Sequence, residues 1–144
     1  MKKIAGFLSA AVAVLSLNGC GGSDSYDHTY YLQTYDDILG EYVGVEGVYY
    51  ECDSYVGDTG DHGEFRMRDG DTCTFWDLDD TVSSEYNILY LGANSSGTVG
   101  LADVEYSCDS GISGETDYDG AFDFDPTYEN PYYPGDVCDF YFFE

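Results

Sequence analysis

Basic side chains are nearly missing from this chain. It carries 4 lysines and arginines against 29 aspartates and glutamates, a formal charge of −25. Lys2 and Lys3 stand at the very start, so beyond residue 3 the only cations besides histidine are Arg66 and Arg68. A nucleic-acid partner is excluded, because phosphates demand a basic footprint. An anionic membrane surface would repel the chain as well. The absence of lysine from the body of the sequence excludes Schiff-base chemistry. No C-x2-C pair is present for a zinc site. Neither a G-x-S-x-G elbow nor a phosphate-cradling glycine loop appears. No catalytic residue is expected: His28 falls in a stretch read as tether, His62 falls in a turn, and with so many carboxylates no particular pair stands out for glycoside hydrolysis.

Long hydrophobic runs are also lacking. The one apolar segment, Ile4 to Leu17, is shorter than the roughly 20 residues of a spanning helix, but it suits a signal-peptide core behind two lysines. It ends in Leu17-Asn18-Gly19-Cys20, which resembles a bacterial lipoprotein lipobox. That resemblance implies cleavage before Cys20, lipidation of Cys20 with fatty-acyl (palmitate-type) chains, and anchoring by several chains where one would bind only marginally. Gly21 and Gly22, where a retention aspartate would stand, imply the bacterial outer membrane or cell surface. An ordinary secretory signal with an incidental cysteine is the alternative. The resulting division is 1–19 signal peptide, 20–29 lipidated tether, 30–79 first β unit and 80–144 second β unit.

Two stretches repeat. Cys52 to Phe65 is written again as Cys108 to Phe122, and the match extends both ways. Tyr50 aligns with Tyr106, Thr59 with Thr116, Gly63 with Gly120, Gly70-Asp71 with Gly135-Asp136, Cys73 with Cys138 and Phe75 with Phe140. The additions in the second copy fall before Thr116 and between Phe124 and Gly135, where loops tolerate insertion. Residues around Val48-Tyr50-Cys52 and Val104-Tyr106-Cys108 alternate apolar with polar, the period of a half-buried strand. Glycine turns separate these from two further strands. Each unit therefore reads as a three-stranded meander whose first and third strands aim a cysteine inward. The expected fold is all-β, a small antiparallel sandwich of two such units, since one three-stranded sheet cannot close a core alone.

The cysteines other than Cys20 read as disulfides in an exported chain. The repeat favours Cys52 with Cys73 and Cys108 with Cys138, each worth about 3 kcal/mol in the chain-entropy model. Pairing across the units is the alternative.

The recurring Y-x-C, G-x-T, G-x-F and G-x-x-C-x-F pattern resembles a unit of bacterial surface lipoproteins and adhesin-like repeats. Thr116-Asp117-Tyr118-Asp119-Gly120-Ala121-Phe122 is similar to the turn of prealbumin-like carboxypeptidase-regulatory domains. Unit one departs from that turn, with Gly60 and His62 in place of aspartates. The resemblance implies a structural or adhesive role without a transferable catalytic residue.

The outer faces of the units differ. Arg66 and Arg68 are expected to pair across the first sheet with Glu51 and Asp53. Their counterparts are Asp123 and Asp125, which with Asp117 and Asp119 make a candidate site for Ca2+, an ion that takes six to eight oxygen ligands. The alternative is a solvated acidic face. Tyr128, Tyr132 and Tyr133, joined by Tyr49, Tyr55, Trp76 and Tyr141, form a candidate aromatic platform for a carbohydrate or protein partner. The functional expectation is a non-catalytic, envelope-anchored lipoprotein acting as an adhesive, matrix or ligand-binding module. The alternative is a filament subunit that self-associates by β-strand pairing through its tyrosine-rich N-terminal arm or its C-terminal strand.

Overall fold

A computed structural model describes residues 27–129 and 135–142. Eleven strands are present among them: β1 (Asp27–Asp36), β2 (Glu41–Gly44), β3 (Tyr49–Cys52), β4 (Val56–Asp58), β5 (Glu64–Arg68), β6 (Thr72–Leu78), β7 (Ile88–Gly92), β8 (Glu105–Cys108), β9 (Ser113–Glu115), β10 (Ala121–Asp123) and β11 (Asp136–Tyr141). They form two antiparallel sheets facing each other across one core, and no helix occurs among the described residues. The all-β sandwich expected from the sequence is the fold observed.

The duplication organises both sheets. The larger runs β4-β3-β6-β11-β8-β9, a palindrome in which β3, β4 and β6 of the first unit correspond to β8, β9 and β11 of the second. Its central pair is self-complementary, with Cys73 opposite Phe140 and Phe75 opposite Cys138. In the other sheet β10 pairs with β7, β7 with β1, and the far edge of β1 is shared by β5 and β2. Here Leu32 lies opposite its own counterpart, Leu91. The second unit's equivalent of β2 is reduced to a single bridge between Gly92 and Gly100. Because the two units share both sheets, they are halves of one body.

The core follows the repeat. Phe65, Phe75, Phe140 and Phe122 form an edge-to-face chain with centroid separations of 4.9, 5.6 and 4.7 Å, running from one unit to the other. This is the offset geometry that the aromatic quadrupole favours. The G-x-F glycines are also accounted for. Gly63 and Gly120 have φ of 78° and 82°, and a Cβ at either would lie 2.0 Å from the carbonyl oxygen of Leu32 or Leu91. Those two leucines donate their own amides back to the Gly63 and Gly120 carbonyls at 2.8 and 2.9 Å. A side chain there would push β5 away from β1 in the first unit and β10 away from β7 in the second.

Four expectations are corrected. The three strands of each unit are not a meander: β3 pairs with β6 and β8 with β11, while β5 and β10 lie in the opposite sheet. The disulfides require this. First and third strands of a meander are two spacings, about 9.6 Å, apart, beyond the reach of a cystine. In the structure Cys52 sits directly opposite Cys73, and Cys108 opposite Cys138, each pair with Cα atoms 3.9 Å apart. The disulfide connectivity itself is as the repeat indicated. Second, β1 begins at Asp27, inside the stretch read as tether. Third, with β5 against β1, Arg66 and Arg68 engage Asp27 and not Glu51 or Asp53. Fourth, the C-terminal strand β11 is no free edge: it is flanked on both sides, by β6 and β8. The N-terminal strand β1 is likewise interior.

Candidate functional site

Thr59/Thr116 and Asp71/Asp136, shared by the two copies, are buried and occupied by the fold. The Thr59 hydroxyl donates to the Val45 carbonyl at 2.6 Å and accepts the Val48 amide at 2.9 Å; Thr116 does the same with Leu101 and Val104 at the same distances. The Asp71 carboxylate accepts the Ser54 amide and hydroxyl (3.1 and 3.0 Å) and the Arg68 amide (3.0 Å). Asp136 accepts the Ser110 amide and hydroxyl (3.1 and 2.6 Å) and the amides of Asp125 (2.8 Å) and Val137 (3.0 Å). Each buried aspartate thus ties the loop after a C-D-S cysteine to the turn before its partner. Reading the sequence for exposed chemistry passed over this role, although Ser54/Ser110 and Asp71/Asp136 stand at matching places. These are scaffold groups with their hydrogen-bonding capacity taken up.

The acidic turn of unit two is dispersed. Asp117 uses one carboxylate oxygen to accept the amides of Asp119 (2.9 Å) and Ala121 (3.0 Å). Asp125 accepts the amide and hydroxyl of Thr127 at 2.9 and 2.7 Å. Asp123 points to solvent from β10. No three of Asp117, Asp119, Asp123 and Asp125 converge. Among the described residues, the one trio of Asp, Glu, His or Cys with ligand atoms all within 4.8 Å is Cys108, Asp136 and Cys138. Both of its sulfurs are consumed in a disulfide.

Tyrosines outside the candidate platform also assemble. Tyr132 and Tyr133, like Cys20, lie outside the described residues. Tyr128 is half-buried and held by backbone bonds to Asp125 and Gly135. Tyr55 joins the arginines. On the outer face of the sheet built on β1, Tyr35, Tyr42 and Tyr90 pack edge to face, with 5.0 Å between successive centroids. The register that places Tyr35 opposite Tyr42 and Gln33 opposite Tyr90 puts these rings on one face. Burial pushes the Tyr90 phenol well above its ordinary range, aided by its 2.7 Å bond to Glu85. Tyr42 shifts the same way, from burial first and then from Asp119 and Glu85. Both shifts favour the neutral phenol at Tyr42 and Tyr90 among these carboxylates.

The cations of the described chain gather where β1 starts. Asp27 accepts Arg68 Nε at 2.7 Å and the Tyr55 hydroxyl at 2.8 Å, with Arg66 at 3.4 Å, and the Arg66 guanidinium lies 4.4 Å from the Tyr55 ring centre. Hydrogen bonds from Arg68 and Tyr55 hold the Asp27 carboxyl below the usual carboxylate range. His28 pairs with Asp69 at 2.5 Å and stacks on Tyr30. Beside them, where the two units meet, Tyr30, Met67, Asp69, Asp103, Tyr141 and Phe142 line an open cleft of about 270 Å³. That volume is at the small end for a ligand site. No nucleophile–base pair lines it. No family model, curated protein or solved structure matches this chain.

Proposed function

We propose that this chain is a non-catalytic lipoprotein of the bacterial outer membrane or cell surface, in which a disulfide-stapled sandwich serves as an adhesive, matrix or ligand-binding module. One observation carries the reading. Of the five cysteines, four are taken up in Cys52–Cys73 and Cys108–Cys138, leaving Cys20, the cysteine that follows a signal-like apolar run and a lipobox-like Leu17-Asn18-Gly19. Two cystines fit an oxidising compartment beyond the inner membrane. The shared buried polar groups support a scaffold role, because their hydrogen-bonding capacity is taken up by backbone and hydroxyl partners.

Feeding cells an alkyne-tagged palmitate tests the anchor. The full chain is expected to incorporate the tag and to sediment with the outer membrane, and Cys20→Ala to lose both. Retention of the tag by Cys20→Ala, or an untagged soluble wild-type protein, removes the reading.

A further inference from the structure

The sheet built on β1 has two unlike ends. At the start of β1 sit the Asp27–Arg66–Arg68–Tyr55 cluster and His28. Phe142 pairs there with Gly70 and Asp71, so the described chain enters and leaves at the same end. At the other end, some ten residues or about 33 Å along the strand, is the turn Asp36-Asp37-Ile38-Leu39-Gly40. Ile38 is 94% exposed and Leu39 62%. The turn is stiff: one Asp36 carboxylate oxygen accepts the amides of Ile38 (2.9 Å) and Leu39 (3.1 Å), and the Gly40 amide donates to the Asp36 carbonyl at 2.7 Å. β7 runs antiparallel to β1 and begins at this end. The loop before it is pinned to β1 by the Ser84 amide on the Thr34 hydroxyl (2.8 Å). It exposes Tyr86, 60% accessible and held at φ 62°, a region aromatic residues seldom enter.

The second copy supplies an internal comparison. Its corresponding turn, Asn94-Ser95-Ser96-Gly97-Thr98, is closed by Asn94–Thr98 bonds and folds back onto the sheet. The Asn94 and Ser95 carbonyls accept the Gln33 amide nitrogen, and Gly97 presses on the Tyr42 ring. Val99, 52% exposed, is the single bare aliphatic side chain beside it. The first turn needs only Asp36 and Gly40 for its conformation. Turn chemistry favours small polar residues at the positions taken by Ile38 and Leu39, and neither side chain is used by the core.

We propose that Ile38 and Leu39 form a rigid docking knob for a protein that presents an apolar socket rimmed by lysine and arginine. The rim follows from charge. Asp36, Asp37 and Glu41 surround the two aliphatic side chains, with Asp36 and Glu41 directly opposite each other in the strand pair, a repulsion that a cationic partner would relieve. A second copy at −25 or an anionic lipid surface meets the same field with the wrong sign. The proposal deepens the tethered-module reading and rests on it, since a chain held at the Asp27 end points this tip outward.

The test places a benzophenone amino acid at position 38 of the full chain in its own cells, with the same group at Ser96 as control. The knob is supported if position 38 alone yields an adduct with a discrete protein, and if that protein, once purified, binds Ile38→Ser/Leu39→Ser at least about tenfold more weakly than wild type. Binding should also weaken on going from low salt to about 0.5 M. Because both side chains are exposed, the double variant should melt with the wild type. Adducts with lipid only, with a second copy only, or no more than Ser96 gives, overturn the knob, as does a partner indifferent to the double variant or to salt. Palmitate labelling of the same cells scores the anchor separately. A labelled chain without an adduct removes the knob alone, and an adduct on an unlabelled chain removes the anchor alone.

Discussion

Unit one and unit two use the same residues at the centre of the seam that joins them and different residues for most of what faces water. Leu32/Leu91, Gly63/Gly120, Phe65/Phe122, Phe75/Phe140 and both cystines lie in the shared sheets or the shared core, where a change in one copy must be met by its image across the axis. Outside, the copies part. Arg66 and Arg68 answer Asp27 in the first, whereas Asp123 and Asp125 stand in their places in the second. The β1–β2 turn is aliphatic and bare, while its counterpart is polar and folded down. Symmetry holds where packing demands it, and function is to be sought where it fails.

The strongest way to break this comparison is to cut one staple at a time. Cys52→Ser/Cys73→Ser and Cys108→Ser/Cys138→Ser should each lower unfolding free energy by about 3 kcal/mol, and the two should differ by less than about 0.5 kcal/mol, because loop length enters only logarithmically. Urea denaturation of the full chain measures both. A loss confined to one pair would mean that the halves do not share a single cooperative core.

Much of the scaffold was legible in the sequence for a physical reason: period-two burial and inward cysteines leave their mark wherever a strand has one wet face, as Val48-Tyr50-Cys52 and Val104-Tyr106-Cys108 do. The order of strands was not. Arg68-Asp69-Gly70-Asp71 is composed like a hairpin turn, yet there the chain crosses from one sheet to the other, and local composition does not distinguish the two. The distance limit on a cystine does distinguish them, and it rules out the meander once the pairing is accepted. The acidic turn misled for another reason. Asp117 and Asp125 are turn-formers, each with one carboxylate oxygen taken up by nearby amides or a hydroxyl, so a high count of carboxylates was no guide to their convergence. Ile38 and Leu39 carry no mark of their own in the sequence, because two aliphatic residues read alike whether buried or bare until exposure separates them.

A smaller effect sharpens the comparison at the buried aspartates. Asp136 is wholly buried with four donors and Asp71 nearly so with three. Replacement by alanine strands those donors, so Asp136→Ala should cost roughly 2–3 kcal/mol and Asp71→Ala somewhat less. Equal losses by urea denaturation would show that the extra bond from the Val137 amide adds nothing.

The smallest effect is one of sign, because the units should answer acid in opposite directions. In unit one Asp27 is held below its ordinary value of 3.8, first by its hydrogen bond from Arg68 and then by Tyr55. A depressed carboxylate stabilises the fold above its unfolded value, and that contribution fades as pH falls from 3.8 through the lower folded value. In unit two Asp109 is raised above 3.8, by burial first and then by its neighbours Asp139 and Asp136, with no cation to answer them. The folded state then prefers the protonated form. Asp109 is therefore neutral in its effect below 3.8 and opposes folding once pH has risen through the folded value. Asp109→Asn should raise the melting temperature at pH 7 and leave it unchanged near pH 3, whereas Asp27→Asn should lower it at pH 7 and have little effect at the acid end. Both residues lie near the surface, so salt should shrink both differences. Melting curves of the two variants across this range decide the matter. If Asp109→Asn lowers stability at pH 7, a cation does sit on the acidic face of unit two, and the contrast between the copies is smaller than their side chains imply.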